Sequence, residues 1–465
     1  EEITMPVLEK EQFAVEAIPG RDENGDDMLV VIAKRTYRLD PVAGQCTLEG
    51  IDAQPPVHGD DKYDDSEDML TAEVIEDGEM APFKPKADVI IRGKAYAPNG
   101  KPVPEFEVSF QVGSLRKRLR ILGPRQATWQ PPQKDTDKEF VPRPPIVSDP
   151  KPIAKLPLSW KNAWGGWSPL VPWLPPKMRT ATSDESSGTV PCPFNMIGKG
   201  FAIGHSRLAI DGLELPGIED PDRPILPEQI GRDPARLMEW DIVPAGCGPV
   251  SKGSWMRACF AGFDPVAKKE AQARIDETVV GMDPNKPDDV PTIRSLLDYE
   301  PPDLDGRFYN SAPLDQQVDS LKGDETIRLI NMDKSGKTAF NLPGKSPIVT
   351  LDRGRGLEAV APRLDTLVID REAERVTMVW RGRLRLASVD EMATYPNFDL
   401  KVREVPVGLE DRELNRITDE QGWGTPAAPM PRPEADPAAE KAAREKAREI
   451  AKKKEILRKK VGPAL

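Results

Sequence analysis

The sequence predicts a mainly β protein with a minor helical share: β-sandwich-like lobes with long proline-rich loops, one internal helix, and a C-terminal helix on a linker. Three observations carry that expectation. Proline accounts for 50 of 465 residues, roughly twice the ordinary ~5%, and a residue without an amide donor is disfavoured in helix interiors. Runs rich in Val, Ile, Thr and Tyr recur between turn residues, as at 28–39. Helical spacing is confined to one internal stretch and to the C-terminal end.

Residues 13–17 alternate, 22–27 form a turn, and 28–39 read as a strand. Residues 87–97, the turn Pro98-Asn-Gly-Lys101 and residues 105–112 are expected to make a hairpin, because Asn-Gly supplies the positive φ of a tight turn. Residues 116–122 continue it, their Arg and Lys reading as a solvated face. The proline-dense stretch 131–157 reads as an extended connection. These features divide the chain into an N-terminal β-rich lobe (1–130), that connection (131–157), a second β-rich lobe with Trp-rich loops (158–424), and a Pro/Ala linker with a basic helix (425–465). Within the second lobe, Asp264 caps a helix that begins at Pro265 and runs to Gly281. Strands are expected at 326–332, 337–342, 348–352, 366–370 and 375–386.

Net charge is −12. Residues 440–460 hold ten Lys/Arg and four Glu, a local +6, so the remainder carries −18. Such a body repels nucleic acid, and no specific nucleic-acid partner is expected. Two histidines, His58 and His205, exclude most His-based metal and acid–base sites. Cys46, Cys192, Cys247 and Cys259 form no C-x-x-C pair and read as free thiols of a reducing compartment. The longest uncharged apolar stretch, 162–176, is broken by prolines and falls short of the ~20 residues of a membrane helix. With no basic and apolar leader at the N-terminus, a cytoplasmic location without membrane insertion is expected.

Several catalytic look-alikes fail on chemistry. Gly204-His-Ser-Arg-Leu208 lacks the second glycine of a nucleophile elbow. Ser335-Gly-Lys-Thr338 ends like a phosphate loop but sits between strands. The run from Asp22 has Asp27 where a calcium loop requires glycine. No catalytic, cofactor-binding or metal-ligating set is found, so the chain is expected not to be an enzyme.

Contact residues are a better prospect. Trp160, Trp164, Trp167 and Trp173 lie within a Pro- and Gly-laced segment that cannot be a regular helix. They either fill a core beneath irregular loops or anchor a protein partner, since Trp is enriched at interface hot spots. Trp164, beside Gly165-Gly166, is expected in the core; Trp167 and Trp173 are expected to bind a partner. In the tail, Ala443, Ala447, Ile450, Leu457 and Val461 fall on a heptad-like stripe, and Ile450, Leu457 and Val461 are further candidate anchors.

Read in order, Val31-Ile-Ala-Lys-Arg-Thr-Tyr37, Lys86-Ala-Asp-Val-Ile-Ile-Arg-Gly93, Ala163-Trp-Gly-Gly166, Asn195-Met-Ile-Gly-Lys-Gly200, Leu215-Pro-Gly-Ile-Glu219, Pro302-Asp-Leu-Asp-Gly-Arg-Phe308, Ala312-Pro-Leu-Asp-Gln316, Leu321-Lys-Gly-Asp-Glu325 and Trp380-Arg-Gly382 resemble a bacterial domain-of-unknown-function family, number 2169, found with type VI secretion genes. The resemblance covers about residues 10 to 385. It implies a cytoplasmic adaptor or chaperone that binds a toxic effector and helps load it onto the secretion spike protein, with no catalytic residues and no cofactor. The insert near 276–301 and the basic tail depart from the family pattern. A carbohydrate-binding β-sandwich using exposed Trp and an Asp/Glu-based hydrolase are the alternatives from other classes.

Overall fold

The computed structural model describes residues 7–9, 11–21, 26–40, 44–66, 71–134, 140–169, 188–261, 304–352, 357–386 and 399–420. The expected helix from Pro265 to Gly281 and the tail helix lie outside the described residues, as do Trp173, Ile450, Leu457 and Val461.

The fold is mainly β with a minor helical share. Its largest sheet orders seven strands: Ala14–Arg21, Asp27–Asp40, Arg375–Arg385, Arg363–Asp370, Ala87–Arg92 and Gln317–Val318 along one path, with Gln45–Leu48 added beside Asp27–Asp40. Only the Arg363–Asp370/Ala87–Arg92 pair among them is parallel. A five-stranded antiparallel sheet runs Ile218–Glu219, Leu115–Leu122, Glu105–Val112, Thr326–Ile330, Lys337–Asn341. A four-stranded sheet centres on Asp399–Pro406 and Lys345–Asp352. A helix, Glu410–Glu420, not anticipated from the sequence, ends the described chain.

Alternation explains which faces meet. Phe106, Val108 and Phe110 of the five-stranded sheet point inward with Leu119, Ile327 and Leu329, and share one core with Leu29, Val31, Val89 and Ile91 of the seven-stranded sheet and Val349 and Leu400 of the four-stranded one. The seven-stranded sheet is covered on its other face too, where Val30, Ile32 and Val379 pack on Val57. A strand buried on both sides reads as a continuous apolar run, and Leu29 to Ala33 is one.

Both large sheets contain strands from before and after the expected 131–157 connection, and residues Glu1–Asn415 form one compact unit; Arg416–Leu465 form a second. The expected hairpin also needs correction. Asn99 and Gly100 do turn the chain at positive φ, but Ala87–Arg92 pairs with Arg363–Asp370, while Glu105–Val112 pairs with Leu115–Leu122. A turn dictates local reversal, and the apolar faces then choose their own partners. On Leu115–Leu122 the basic residues divide: Arg116 and Arg118 face solvent, whereas Lys117 is buried. Its ammonium donates to Gly246 O at 2.5 Å, Asp315 Oδ1 at 2.8 Å and Gln316 Oε1 at 2.7 Å.

Candidate functional site

The sequence segments that carry the family pattern meet one another. Gly165 and Gly166 adopt φ of +150° and +99°, and Trp164-Gly165 runs parallel to Lys199-Gly200. A Cβ on Gly165 would stand 2.0 Å from Asn195 O, and one on Gly166 2.5 Å from Gly198 O. Asn195 in turn donates to Trp160 O and Trp164 O. Gln316 donates to Val89 O and Cys247 O. These residues tie loops together, and their spacing serves close packing. Gly166→Ala is therefore expected to cost at least about 1–3 kcal/mol, the range for a residue forced into a sparse φ region. A urea midpoint unchanged from the wild type would refute that.

The irregular segment between residues 158 and 261 builds a small core of its own from Trp164, Val190, Cys192, Phe194, Phe201, Ile203, Leu237 and Ile242, with Ile225 and Met256 packed against it. Trp164 is 2% exposed, edge-on to Phe201 with ring centroids 5.7 Å apart, so its expected core position holds. Around this core, chain neighbours of the residues that build it or pack on it turn outward: Leu226 beside Ile225, Met238 beside Leu237, Val243 beside Ile242 and Trp255 beside Met256 are all exposed. Trp240 lies against Phe194 with centroids 4.6 Å apart, yet keeps 40% of its surface in solvent, as does Trp255. Trp255 N donates to Pro193 O at 2.8 Å, one residue before Phe194. Trp167, half-buried, pairs in register with Pro191.

Of the predicted partner residues, Trp167 alone is described, half-buried in its pairing with Pro191; the exposed Trp240 and Trp255 are ones that sequence reasoning missed. Arg232 shapes its central loop. Its guanidinium, 6% exposed, donates to Arg236 O at 2.9 Å and Glu239 O at 3.0 Å, and binds Asp241. That fixes the 236–241 turn from which Trp240 projects. Trp is among the residues enriched at interface hot spots.

A second feature is a cavity of about 260 Å3 between the seven-stranded sheet and the segment 55–84. One register row, Ile90, Val368, Thr377 and Thr36, makes its floor. Each cation lining it has a carboxylate: Lys34 with Glu79, Lys62 with Glu76, Lys84 with Asp88, Arg92 with Asp370, Arg375 with Glu49 and Arg381 with Asp365. His58 stands between two of them, Nδ1 3.0 Å from Glu79 and Nε2 3.8 Å from Glu76, neither nitrogen in hydrogen-bonding alignment. Such mutual pairing clamps the segment to the sheet. Burial works to raise the Glu79 carboxyl, but His58 and Lys34 outweigh it and hold the pKa below its ordinary 4.5. A carboxylate depressed on folding stabilises the native state above its unfolded pKa, and that stability is lost as pH falls below about 4.5. Glu79→Gln is expected to lower stability at neutral pH and to flatten the acid limb of a melting-temperature profile; an acid limb as steep as the wild type's would contradict it.

The remaining candidates are structural. Ser206 caps the short helix Arg207–Ile210 by accepting from Ala209 N. Ser335 and Thr338 both donate to Asp333 in a turn between strands. All four cysteines are free. Burial pushes the Cys46, Cys192 and Cys247 thiols up to about 12, which leaves almost no thiolate at neutral pH. Among the described residues no cluster of His, Cys, Asp and Glu is suited to a metal ion, and no helix is long and apolar enough to cross a membrane.

Fold and site together define a mainly β scaffold whose irregular region displays partly exposed indoles on a small, firmly tied core. Comparison with family models matches residues 24–381 to the family described as uncharacterized protein conserved in bacteria (DUF2169), and the chain belongs to that family. No curated protein and no solved structure matches it.

Proposed function

We propose that the chain is a non-enzymatic adaptor or chaperone that binds a type VI secretion effector in the cytoplasm and helps load it onto the secretion spike protein. The observation that supports this most is the outward face of Trp240, Trp255, Leu226, Met238 and Val243 on the 158–261 core. Several large apolar side chains exposed around one small core mark a contact surface for another protein. The resemblance to a family found with type VI secretion genes is what implies the identity of the partner.

The test is to co-express the protein with the products of its neighbouring genes and purify it. A stoichiometric protein partner is expected, and Trp255→Ala should weaken its binding by at least about 2 kcal/mol while the melting temperature stays unchanged. Purification of the chain alone from such co-expression, or a partner indifferent to that substitution, would sink the reading. The same exposed indoles suit sugar stacking, the second reading, which a carbohydrate array on the same purified protein separates.

A further inference from the structure

The exposed face has a charge as well as an apolar character. Between Asp222 and Asp241 the exposed ionisable side chains are four carboxylates (Asp222, Glu228, Asp233, Glu239) and two arginines (Arg223, Arg236), while the Asp241 side chain is 24% exposed and tied to the buried Arg232. Their mutual ties are partial. Arg236 is shared between Glu239 at 2.7 Å and Asp241 at 3.5 Å, Asp222 reaches Arg118 of the neighbouring sheet, and Asp233 is occupied with Ala235 N. The carboxylates of Glu228 and Glu239 flank Leu226 and Trp240 in sequence, and Gln229 Nε2 lies 3.4 Å from Asp241 O, which brings the 226–229 turn beside the 239–241 one. Acid is therefore set near a large apolar side chain on both turns, Leu226 on one and the Trp240 indole on the other. An indole face attracts a cation through its quadrupole, by about 0.5–2 kcal/mol, and a carboxylate at its rim adds Coulombic attraction.

We infer that this face recognises a basic amphipathic segment of the partner protein, one whose apolar side chains seat on Trp240 and Trp255 while adjacent Lys or Arg side chains meet Glu228 and Glu239. The inference rests on the adaptor reading and adds the chemistry of the segment recognised. An acidic or uncharged apolar segment would cover the same indoles but would leave the carboxylates facing like charge or stripped of water. The arrangement thus selects by charge and holds by apolar burial.

The experiment uses the full chain and two labelled synthetic peptides of equal length and apolar pattern, one of Leu and Lys, the other of Leu and Glu, with binding read by fluorescence anisotropy. The Leu/Lys peptide is expected to bind at least about tenfold more tightly at low ionic strength, with the preference shrinking as salt rises. The double variant Glu228→Lys with Glu239→Lys should abolish that preference. Trp240→Ala with Trp255→Ala should weaken Leu/Lys binding by about tenfold or more at fixed salt. Because Trp240 packs against Phe194, Trp255→Lys provides the same readout at an exposed position if the alanine pair unfolds. Equal binding of the two peptides overturns the inference. So does a charge-reversed variant that keeps the preference, or an indole variant that binds as tightly as wild type, since either places the peptide on the acidic body at large. These outcomes leave the co-purification test standing; a chain that prefers the Leu/Lys peptide yet purifies without a partner would sink the adaptor reading alone.

Discussion

Replacement of Trp164 by alanine is expected to cost about 3–5 kcal/mol, the usual range for truncating a buried Trp. The indole is 2% exposed, meets Phe201 edge to face, and carries the Arg232 guanidinium 5.4 Å from its ring centroid. Removing it hollows the small core on whose outer side Trp240 and Trp255 sit. Loss should therefore be concentrated in residues 158–261, with near-ultraviolet circular dichroism collapsing before the β-sheet signal at 218 nm or so does. A denaturation midpoint within about 1 kcal/mol of wild type would show that this core can close over the gap.

A comparable effect is expected for Asp88→Ala. The carboxylate is fully buried and accepts from Lys84 Nζ at 2.8 Å, Asn310 Nδ2 at 2.9 Å, Ser311 N at 2.9 Å and Ala312 N at 3.2 Å. Lys84, 4% exposed, would be left with Thr366 Oγ1 alone as a side-chain partner. Breaking a buried pair by removing one member costs about 3–5 kcal/mol, because the surviving charge is uncompensated. The double variant Lys84→Met with Asp88→Asn should recover part of the loss, and a double-mutant cycle by urea denaturation measures how much. If Asp88→Ala proved as stable as wild type, Lys84 would have to reach solvent or another acceptor on its own.

The strands were legible because alternation and β-branching are local: 326–332, 337–342, 348–352, 366–370 and 375–386 all fall on observed strands. Their partners were not legible. Ala87–Arg92 lies beside Arg363–Asp370, and nothing within either segment names the other. The core position of Trp164 could be read because the adjoining Gly165-Gly166 signals close backbone approach. Trp240 and Trp255 carried a weaker signal. Each is an isolated Trp in a loop-rich stretch with no periodicity, and the one hint at Trp240 is its place between Glu239 and Asp241. Lys117, read as part of a solvated face, is buried because Gly246, Asp315 and Gln316 arrive from distant parts of the chain to receive it.

The seven-stranded sheet also sets a timetable for the ribosome. Asp27–Asp40 has Arg375–Arg385 as its central neighbour, so 335 positions separate Asp40 from the start of the strand that completes its pairing. At roughly 5–20 residues per second of synthesis, the first of these strands waits on the order of 17–70 seconds before the second exists. During that interval Leu29-Val-Val-Ile-Ala33 has only Ala14–Arg21 to pair with, because Gln45–Leu48 pairs with Tyr37–Asp40 instead. An apolar strand without its neighbour is a template for pairing with another nascent chain. A protein built this way is itself a client while it is being made, and its yield in the cell should depend on ribosome-associated chaperones and on translation rate more than on the stability of the finished fold.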